Sequence, residues 1–67
     1  MNKFAERLKE LRDEQNLSQS DLAKELQISS ACISRWEQNL RVPNIDSIIL
    51  LCNFFNVSAG YLIGLED

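Results

Sequence analysis

Residues 17–37 read LSQSDLAKELQISSACISRWE, and this segment contains the main determinants of the architecture. The hydroxyl of Ser18 suits an unpaired backbone N–H at a helix start, and Asp21 at the third helical position completes a capping-box-like beginning. Ser29 is placed to cap a second helix in the same way. The stretch therefore predicts two short helices separated by a brief polar break.

The two predicted helices can pack closely against each other. Ala23 is small enough to let them approach at a steep crossing angle. The apolar positions of the pair are Leu22, Ala23, Leu26, Ile28, Ile33 and Trp36. This spacing predicts a helix-turn-helix over about residues 18–38, an arrangement whose second helix can enter a DNA major groove.

The segment before this stretch is also predicted to be helical. Between Lys3 and Glu14, the residues Phe4, Leu8 and Leu11 form one apolar stripe at helical spacing. The charged residues on the other faces of this helix are expected to be solvated, and they include Lys3, Glu6, Arg7 and Glu10.

Polar residues and one glycine mark two later helices. Asn44, after the loop that ends at Pro43, can cap a fourth helix. That helix is apolar on most sides and is therefore predicted to be the central core element. Ser58 can cap a short fifth helix that Gly64 ends. The sequence thus predicts an all-α fold, a compact bundle of five short helices, in a single domain over residues 1–67.

Composition excludes several classes of function. The chain has 67 residues and no histidine, which excludes histidine-based acid/base catalysis and histidine metal ligands. Cys32 and Cys52 form no CxxC pair and cannot complete a four-ligand zinc site alone. No phosphate-binding glycine loop is present. We therefore predict no enzyme activity, no metal, no cofactor and no small-molecule substrate.

Charge is distributed unevenly along the chain. The net charge is −3, which alone would not indicate a nucleic-acid partner, because phosphate neutralisation requires Lys and Arg. From Gln27 to Ile45, however, Glu37 is the one acid against Arg35 and Arg41. The middle of the chain is therefore mildly basic.

Neither a membrane segment nor an export signal is evident in the sequence. The longest apolar run, residues 48–52, is far too short to span a bilayer, and the charged N-terminal residues do not resemble a secretion signal. A cytoplasmic location without membrane contact is predicted, with both cysteine thiols reduced, although a disulfide between them is an alternative in principle.

Together these motifs resemble those of the lambda-repressor/Cro-like helix-turn-helix domains, often called XRE-type regulators. The resemblance covers nearly the whole chain in the right order, and its pieces are Leu17-Ser18-Gln19, Asp21-Leu22-Ala23, Ile28-Ser29, Ile33-Ser34-Arg35-Trp36-Glu37, Pro43, Asn56-Val57-Ser58 and Tyr61-Leu62-Ile63-Gly64. Each piece is weakly specific, but their combination is strongly specific.

The resemblance implies a DNA-binding surface on the second and third helices and the loop that follows. The residues implied as DNA contacts are Gln19, Ser29, Ser30, Ala31, Ser34, Arg35, Asn39 and Arg41. Gln19, Asn39 and Arg41 match positions that touch backbone phosphate. Arg35 can bond guanine O6 and N7 together, or contact a phosphate instead. The alternative for each residue is a solvated surface side chain.

Two structural roles are also expected, and the first of them follows from the resemblance. Arg12 and Glu37 match a pair that forms an internal salt bridge and ties the first helix to the third. Such pairing would compensate the charge of Glu37. The DNA-binding surface would then be more positive than a count of the formal charges of its residues indicates. Trp36 is expected in the core rather than as a stacking platform for bases.

The sequence departs from the family pattern at several positions. Gln27 stands where a glycine in the left-handed conformation is common, at a cost of about 1 kcal/mol. Leu50 stands at a usually polar position near Ile49 and Phe54, and these three residues are candidate dimer contacts in an apolar patch. The alternative is that the chain's own termini bury the patch. The recognition helix has few long polar side chains, which favours a contribution from DNA shape or partner contacts.

The function expected from the resemblance is sequence-specific binding of double-stranded DNA by a bacterial or phage transcriptional regulator that acts as a repressor. Its third helix would lie in the major groove, and a homodimer would bind a near-palindromic operator. The alternative is a protein-interaction module of the antitoxin or anti-repressor type, which keeps the fold but binds DNA weakly.

Overall fold

A computed structural model describes residues 2–67, so that Met1 of the predicted domain lies outside the described residues. These residues form five helices: α1 (Phe4–Glu14), α2 (Gln19–Leu26), α3 (Ser30–Glu37), α4 (Ile45–Phe55) and α5 (Ala59–Ile63). No strand occurs between residues 2 and 67. The predicted all-α fold class of five short helices is confirmed.

Side-chain caps begin four of the helices, as the sequence predicts. Ser18 caps α2: its hydroxyl accepts from the backbone N–H of Asp21 at 3.0 Å, and the Asp21 carboxylate accepts from the N–H of Ser18 at 3.1 Å. Ser29, Asn44 and Ser58 each accept from the backbone N–H three residues later, at the starts of α3, α4 and α5. The helix starts are therefore encoded locally.

Left-handed residues end three of the helices. Gln27 ends α2 with φ of 58°, Asn56 ends α4 with φ of 57°, and Gly64 ends α5 with φ of 92°. Gln27 adopts the conformation predicted for it, although a residue with a Cβ pays about 1–2 kcal/mol in this region. The chain thus accepts local strain at the turn between α2 and α3.

The core lies where α1, α2 and α3 meet, and α4 and α5 close its remaining sides. The fully buried side chains are Leu8, Leu22, Ile33, Leu51 and Leu62. Trp36 is also buried, and its ring packs edge-on against Phe4 with 6.0 Å between the ring centroids. The prediction that Trp36 is a core residue is confirmed.

The prediction that α4 is the central core element is wrong. Leu51 and Phe55 are its buried residues, whereas Ile45 is 77% exposed and Ile49 52% exposed. The reason is geometric: the core presents one surface to α4, so that only one stripe of this helix is covered whatever the polarity of its other faces.

Among residues 2–67, no helix combines the length and the apolar character that crossing a membrane requires.

The prediction that Arg7 is solvated is also wrong. Arg7 is buried, and its guanidinium lies 4.3 Å from the centre of the Tyr61 ring. It donates hydrogen bonds to the backbone carbonyls of Tyr61 and Glu66. Tyr61 lies in α5 and Glu66 in the residues that follow it, so Arg7 ties the C-terminal part of the chain to α1.

Candidate nucleic-acid interface

The α2–α3 unit holds α3 at the surface in a fixed orientation. Ala23 is 4% exposed at the contact between the two helices, where a larger side chain would separate them. After the left-handed Gln27, the N–H of Ile28 donates to the carbonyl of Ala23 at 3.0 Å. Leu22 and Ile33 are fully buried on the inner faces, so the outer face of α3 is left to solvent.

The outer face of α3 carries short polar residues and one cation. Ser30, Ala31 and Arg35 are exposed and Ser34 is half-buried. The Ser34 hydroxyl accepts a hydrogen bond from the Gln38 side chain at 2.6 Å. The structure therefore brings four of the predicted contact residues together on one face, at the spacing of one helical turn.

Ser29 has a structural role at the start of the same helix. Its hydroxyl oxygen accepts from the N–H of Cys32 at 3.2 Å, as the cap of α3. The hydroxyl hydrogen remains available to donate to an acceptor outside the protein. Ser29 is exposed, so capping and an external contact are compatible.

Glu37 at the end of α3 forms a buried ion pair with Arg12 of α1. The Nε of Arg12 lies 2.8 Å from Oε2 of Glu37, and Nη2 lies 3.0 Å from Oε1. The side chains are 10% and 5% exposed, respectively. The hydrogen bond to Glu37 raises the pKa of Arg12 above its ordinary value. The carboxylate is thus oriented inward, away from the outer face of α3.

Gln19, the first residue of α2, joins the same cluster. Its side-chain N–H donates to Oε1 of Glu37 at 3.1 Å, and the residue is half-buried. The carboxylate of Glu37 therefore links α3 to both α1 and α2. No local pattern in the sequence indicates this bond, because the pairing of residues 18 positions apart depends on how two helices cross.

The loop after α3 carries the remaining predicted contacts. Asn39 and Arg41 are both exposed, and Asn39 is left-handed with φ of 60°. Arg41 lies at the edge of a cleft of about 140 Å³ between α3, this loop and the start of α4. The residues that line the cleft are Cys32, Trp36, Arg41, Val42, Pro43, Asn44 and Ser47.

The patch predicted on α4 is partly exposed. Ile49 is 52% and Leu50 40% exposed, so the described termini leave both side chains accessible. Phe54 is half-buried, with its ring packed edge-on against Phe55 at a centroid distance of 5.0 Å. The accessible part of the predicted patch therefore consists mainly of Ile49 and Leu50, and the exposed Ile45 extends it by one turn.

Clusters of metal-binding side chains are not found in the described part of the chain. Residues 2–67 contain no group of three or more Cys, Asp or Glu side chains arranged to hold an ion. Cys32 and Cys52 are both free thiols.

Comparisons with known proteins agree with this geometry. The family model described as Helix-turn-helix matches residues 8–62, a span from α1 into α5 that contains the whole α2–α3 unit. The HTH-type transcriptional activator BcrR of Enterococcus faecalis is 38% identical over 64 residues, which make up 96% of this chain and 31% of that protein.

Two relatives come from Bacillus subtilis (strain 168). The HTH-type transcriptional regulator ImmR is 36% identical over 64 residues, covering 96% of this chain and 50% of that protein. The uncharacterized HTH-type transcriptional regulator YobD is 28% identical over the same length, covering 96% and 57%. The chain spans from about a third to a little over half of these relatives.

The family match, the relatives and the packing of α2 against α3 lead to one assignment. The matched span covers more than half of the chain, and the five-helix arrangement is that of the lambda-repressor-like fold. The chain belongs to the helix-turn-helix family of lambda-repressor/Cro-like, XRE-type transcriptional regulators.

Proposed function

We propose that this protein binds double-stranded DNA in a sequence-specific manner and regulates transcription, with α3 in the major groove. The observation that carries the proposal is the outer face of α3, which exposes Arg35 with Ser30 and Ala31 and has no acid among them. The major groove, about 12 Å wide, admits one helix with its side chains. The fixed packing of α2 against α3 supports this docking.

The electrostatics of α3 support an anionic partner despite the net charge. Glu37 is the acid within this helix, and its side chain is 95% buried against Arg12. Its charge is compensated at 2.8 Å, so the field at the outer face is dominated by Arg35. An exposed glutamate at the same position would have repelled phosphate.

Each residue of the outer face has a distinct proposed contact. Arg35 forms the bidentate pair with O6 and N7 of a guanine. Ser29, Ser30 and Ser34 donate to a base or a phosphate and discriminate weakly between sequences. Ala31 makes apolar contact with a thymine methyl. One long side chain among five residues leaves room for DNA shape to contribute to specificity.

Phosphate contacts are proposed on both sides of α3. Gln19 lies at the start of α2, where free N–H groups and the helix dipole attract an anion, and its amide keeps one N–H beyond the bond to Glu37. Asn39 and Arg41 are exposed in the loop after α3. These groups would fix the register of α3 on the duplex.

A homodimer on a near-palindromic operator is the proposed binding form. One module of this size makes few phosphate contacts, so a monomer binds weakly. The patch formed by Ile49 and Leu50, with Phe54 behind it, is the proposed dimer contact. Half-sites would then lie about 34 Å apart, which is one helical turn of DNA.

The protein is proposed to act in the cytoplasm. There it would repress transcription by blocking RNA polymerase. BcrR is named an activator, so activation is the alternative outcome. Transcription in vitro from a promoter that contains an operator selected from random duplex DNA distinguishes repression from activation. A fall in transcript with added protein supports repression, and a rise would replace it by activation.

The proposal is tested by selecting an operator from a pool of random duplex DNA and measuring its binding by fluorescence anisotropy at low and moderate salt. Arg35→Ala should weaken binding by about 5- to 150-fold, equivalent to about 1–3 kcal/mol for a bidentate pair. Lys9→Ala on α1 removes the same charge outside the proposed surface and serves as the matched control. The two cations Arg35 and Arg41 would displace counterions from the duplex, so log K should fall with log salt at a slope of about −2 per protomer.

A protein-interaction module is the second candidate, favoured by the net charge of −3 and the short side chains of α3. That function predicts no DNA binding at either salt concentration. The titrations of Arg35→Ala and Lys9→Ala with DNA should then be the same. Steep salt dependence with a selective loss for Arg35→Ala would exclude it.

A further inference from the structure

The cleft beside α3 has a free thiol in its wall. Cys32 and Trp36 lie one helical turn apart on α3 and line it from one side. Arg41 and Pro43 line it from the loop, and Ser47 lines it from α4. Its volume of about 140 Å³ is far above the roughly 10–15 Å³ that one water molecule requires. A group of several non-hydrogen atoms fits there.

The polar groups of the cleft are mainly hydrogen-bond donors. Arg41 is an exposed cation, and Asn44 uses its side-chain oxygen to accept from the N–H of Ser47 at 2.8 Å, which leaves its NH₂ group free. The indole Nε1 of Trp36 is buried without an acceptor among residues 2–67, in a side chain that is 3% exposed. Among the residues that the structure describes, no carboxylate lines the cleft. Its chemistry therefore suits a group that carries acceptor oxygens and negative charge.

We propose that Cys32 is a modification site that forms mixed disulfides with small carboxylate-bearing disulfides, and that the adduct weakens DNA binding. The second half rests on the proposed function. Both thiols are half-buried and pack against the core, but Cys32 also lines the cleft, whereas Cys52 lies on α4 outside it. Burial also raises the pKa of the Cys52 thiol, which lowers its thiolate fraction.

The reaction is a thiol–disulfide exchange that needs no further oxidant. The Cys32 thiol loses its proton to solvent, and the thiolate attacks one sulfur of the incoming disulfide. The new S–S bond forms as the old one breaks, and the departing thiolate takes up a proton. The net change converts one protein thiol and one small disulfide into a mixed disulfide and one small thiol.

The adduct would act on DNA binding through charge and space. Its carboxylate would pair with Arg41, which is a proposed phosphate contact. The added group would also stand beside the outer face of α3, because Cys32 directly follows Ala31 in the helix. Neutralising one cation and placing an anion near phosphates both reduce electrostatic affinity. Reduction would restore the original surface.

The experiment exposes the purified protein to 3,3′-dithiodipropionate, whose transferred half carries a carboxylate, and to cystamine, whose half carries an ammonium group. Intact-mass and peptide mass spectrometry follow adduct formation at each cysteine in the wild type, Cys52→Ser and Arg41→Gln. Anisotropy with duplex DNA is measured before treatment, after treatment and after reduction. Circular dichroism verifies that each variant is folded.

Cys32 should react at least tenfold faster than Cys52 with dithiodipropionate. Arg41→Gln should slow this reaction several-fold without slowing the reaction with cystamine, and Cys52→Ser should react as the wild type does. The adduct should weaken DNA binding at least tenfold and reversibly. Equal rates at the two thiols, or no effect of Arg41→Gln, would overturn the site.

DNA affinity that is unchanged in the adduct would overturn its regulatory effect. The proposed function is judged separately, since it fails when the untreated protein shows no salt-dependent DNA binding. The mass measurements decide on the modification site in either case.

Discussion

Removing the carboxylate of Glu37 should destabilise the protein severely. In the native structure this side chain accepts two hydrogen bonds from Arg12, at 2.8 and 3.0 Å, and one from Gln19 at 3.1 Å. Glu37→Ala would leave the Arg12 guanidinium, in a side chain only 10% exposed, without its main counter-charge. Breaking one side of a buried ion pair costs about 3–5 kcal/mol, because the remaining charge is left unpaired.

The lower end of that range applies to this site. Arg12 retains a hydrogen bond to the carbonyl of Leu17 at 2.7 Å and a contact with Asp13 at 3.5 Å, whose side chain is 57% exposed. We therefore expect a loss of about 3 kcal/mol. A domain of 67 residues has a total stability of about 3–10 kcal/mol at roughly 0.05–0.15 kcal/mol per residue. The variant should lose a large share of it, equivalent to a fall in Tm of about 12–24 °C.

Urea unfolding followed by far-ultraviolet circular dichroism measures this loss. Glu25→Ala is the matched control, because Glu25 is exposed on α2 and surface substitutions usually change stability by less than about 0.5 kcal/mol. Replacing both Arg12 and Glu37 by Met should destabilise less than Glu37→Ala alone, since no unpaired charge remains buried. Equal stability of Glu37→Ala and Glu25→Ala would refute the assigned role of the ion pair.

Three further substitutions test the local structure. Gln27→Gly should stabilise the protein by up to about 1 kcal/mol in thermal unfolding, because glycine adopts the left-handed φ of 58° without strain; a destabilised variant would show that unfolded-state entropy dominates. Gly64→Ala should destabilise by about 1–2 kcal/mol for the opposite reason at φ of 92°, and its Cβ would also lie 3.0 Å from that of Lys3. Hydrogen bonding to the backbone N–H of Ser18 lowers the pKa of Asp21, so its stabilisation is present above the unfolded pKa and is lost as pH falls through the folded pKa. Asp21→Asn should therefore be less stable than the wild type at neutral pH and equal to it in strong acid, in unfolding curves recorded across pH; a constant difference at all pH values would contradict the charged cap.

The sequence predicts features whose determinants lie within a few residues of each other. Ser18 and Asp21 identify the start of α2, and Gly64 identifies the end of α5, because a cap or a left-handed residue acts on its own helix turn. The buried position of Trp36 follows from helical spacing in the same way. These features needed no knowledge of how the helices cross.

The features that the sequence did not predict depend on contacts between distant elements. Arg7 binds carbonyls more than 50 positions away, and a charged residue on a helix surface has the same local pattern whether it is solvated or buried. The exposure of Ile45 has the same origin, since an apolar helix indicates burial but not how many of its faces a neighbour covers. For the interface, the family resemblance predicted the pairing of Arg12 with Glu37, whereas the bond from Gln19 emerged only from the three-dimensional arrangement.

Placement of charge reconciles an acidic protein with the proposed binding of an acidic polymer. The net charge of −3 governs the long-range repulsion from DNA, which is screened within about 8–10 Å at physiological salt. Contact with DNA depends on the groups inside that distance. There Glu37 is paired, so Arg35 and Arg41 act without a local acid from residues 30–41. Two cations give a monomer little affinity for DNA, however. A dimer formed through the exposed apolar surface of α4 would bring twice as many cations to the DNA. Dimerisation is therefore the step on which, in this proposal, useful affinity depends.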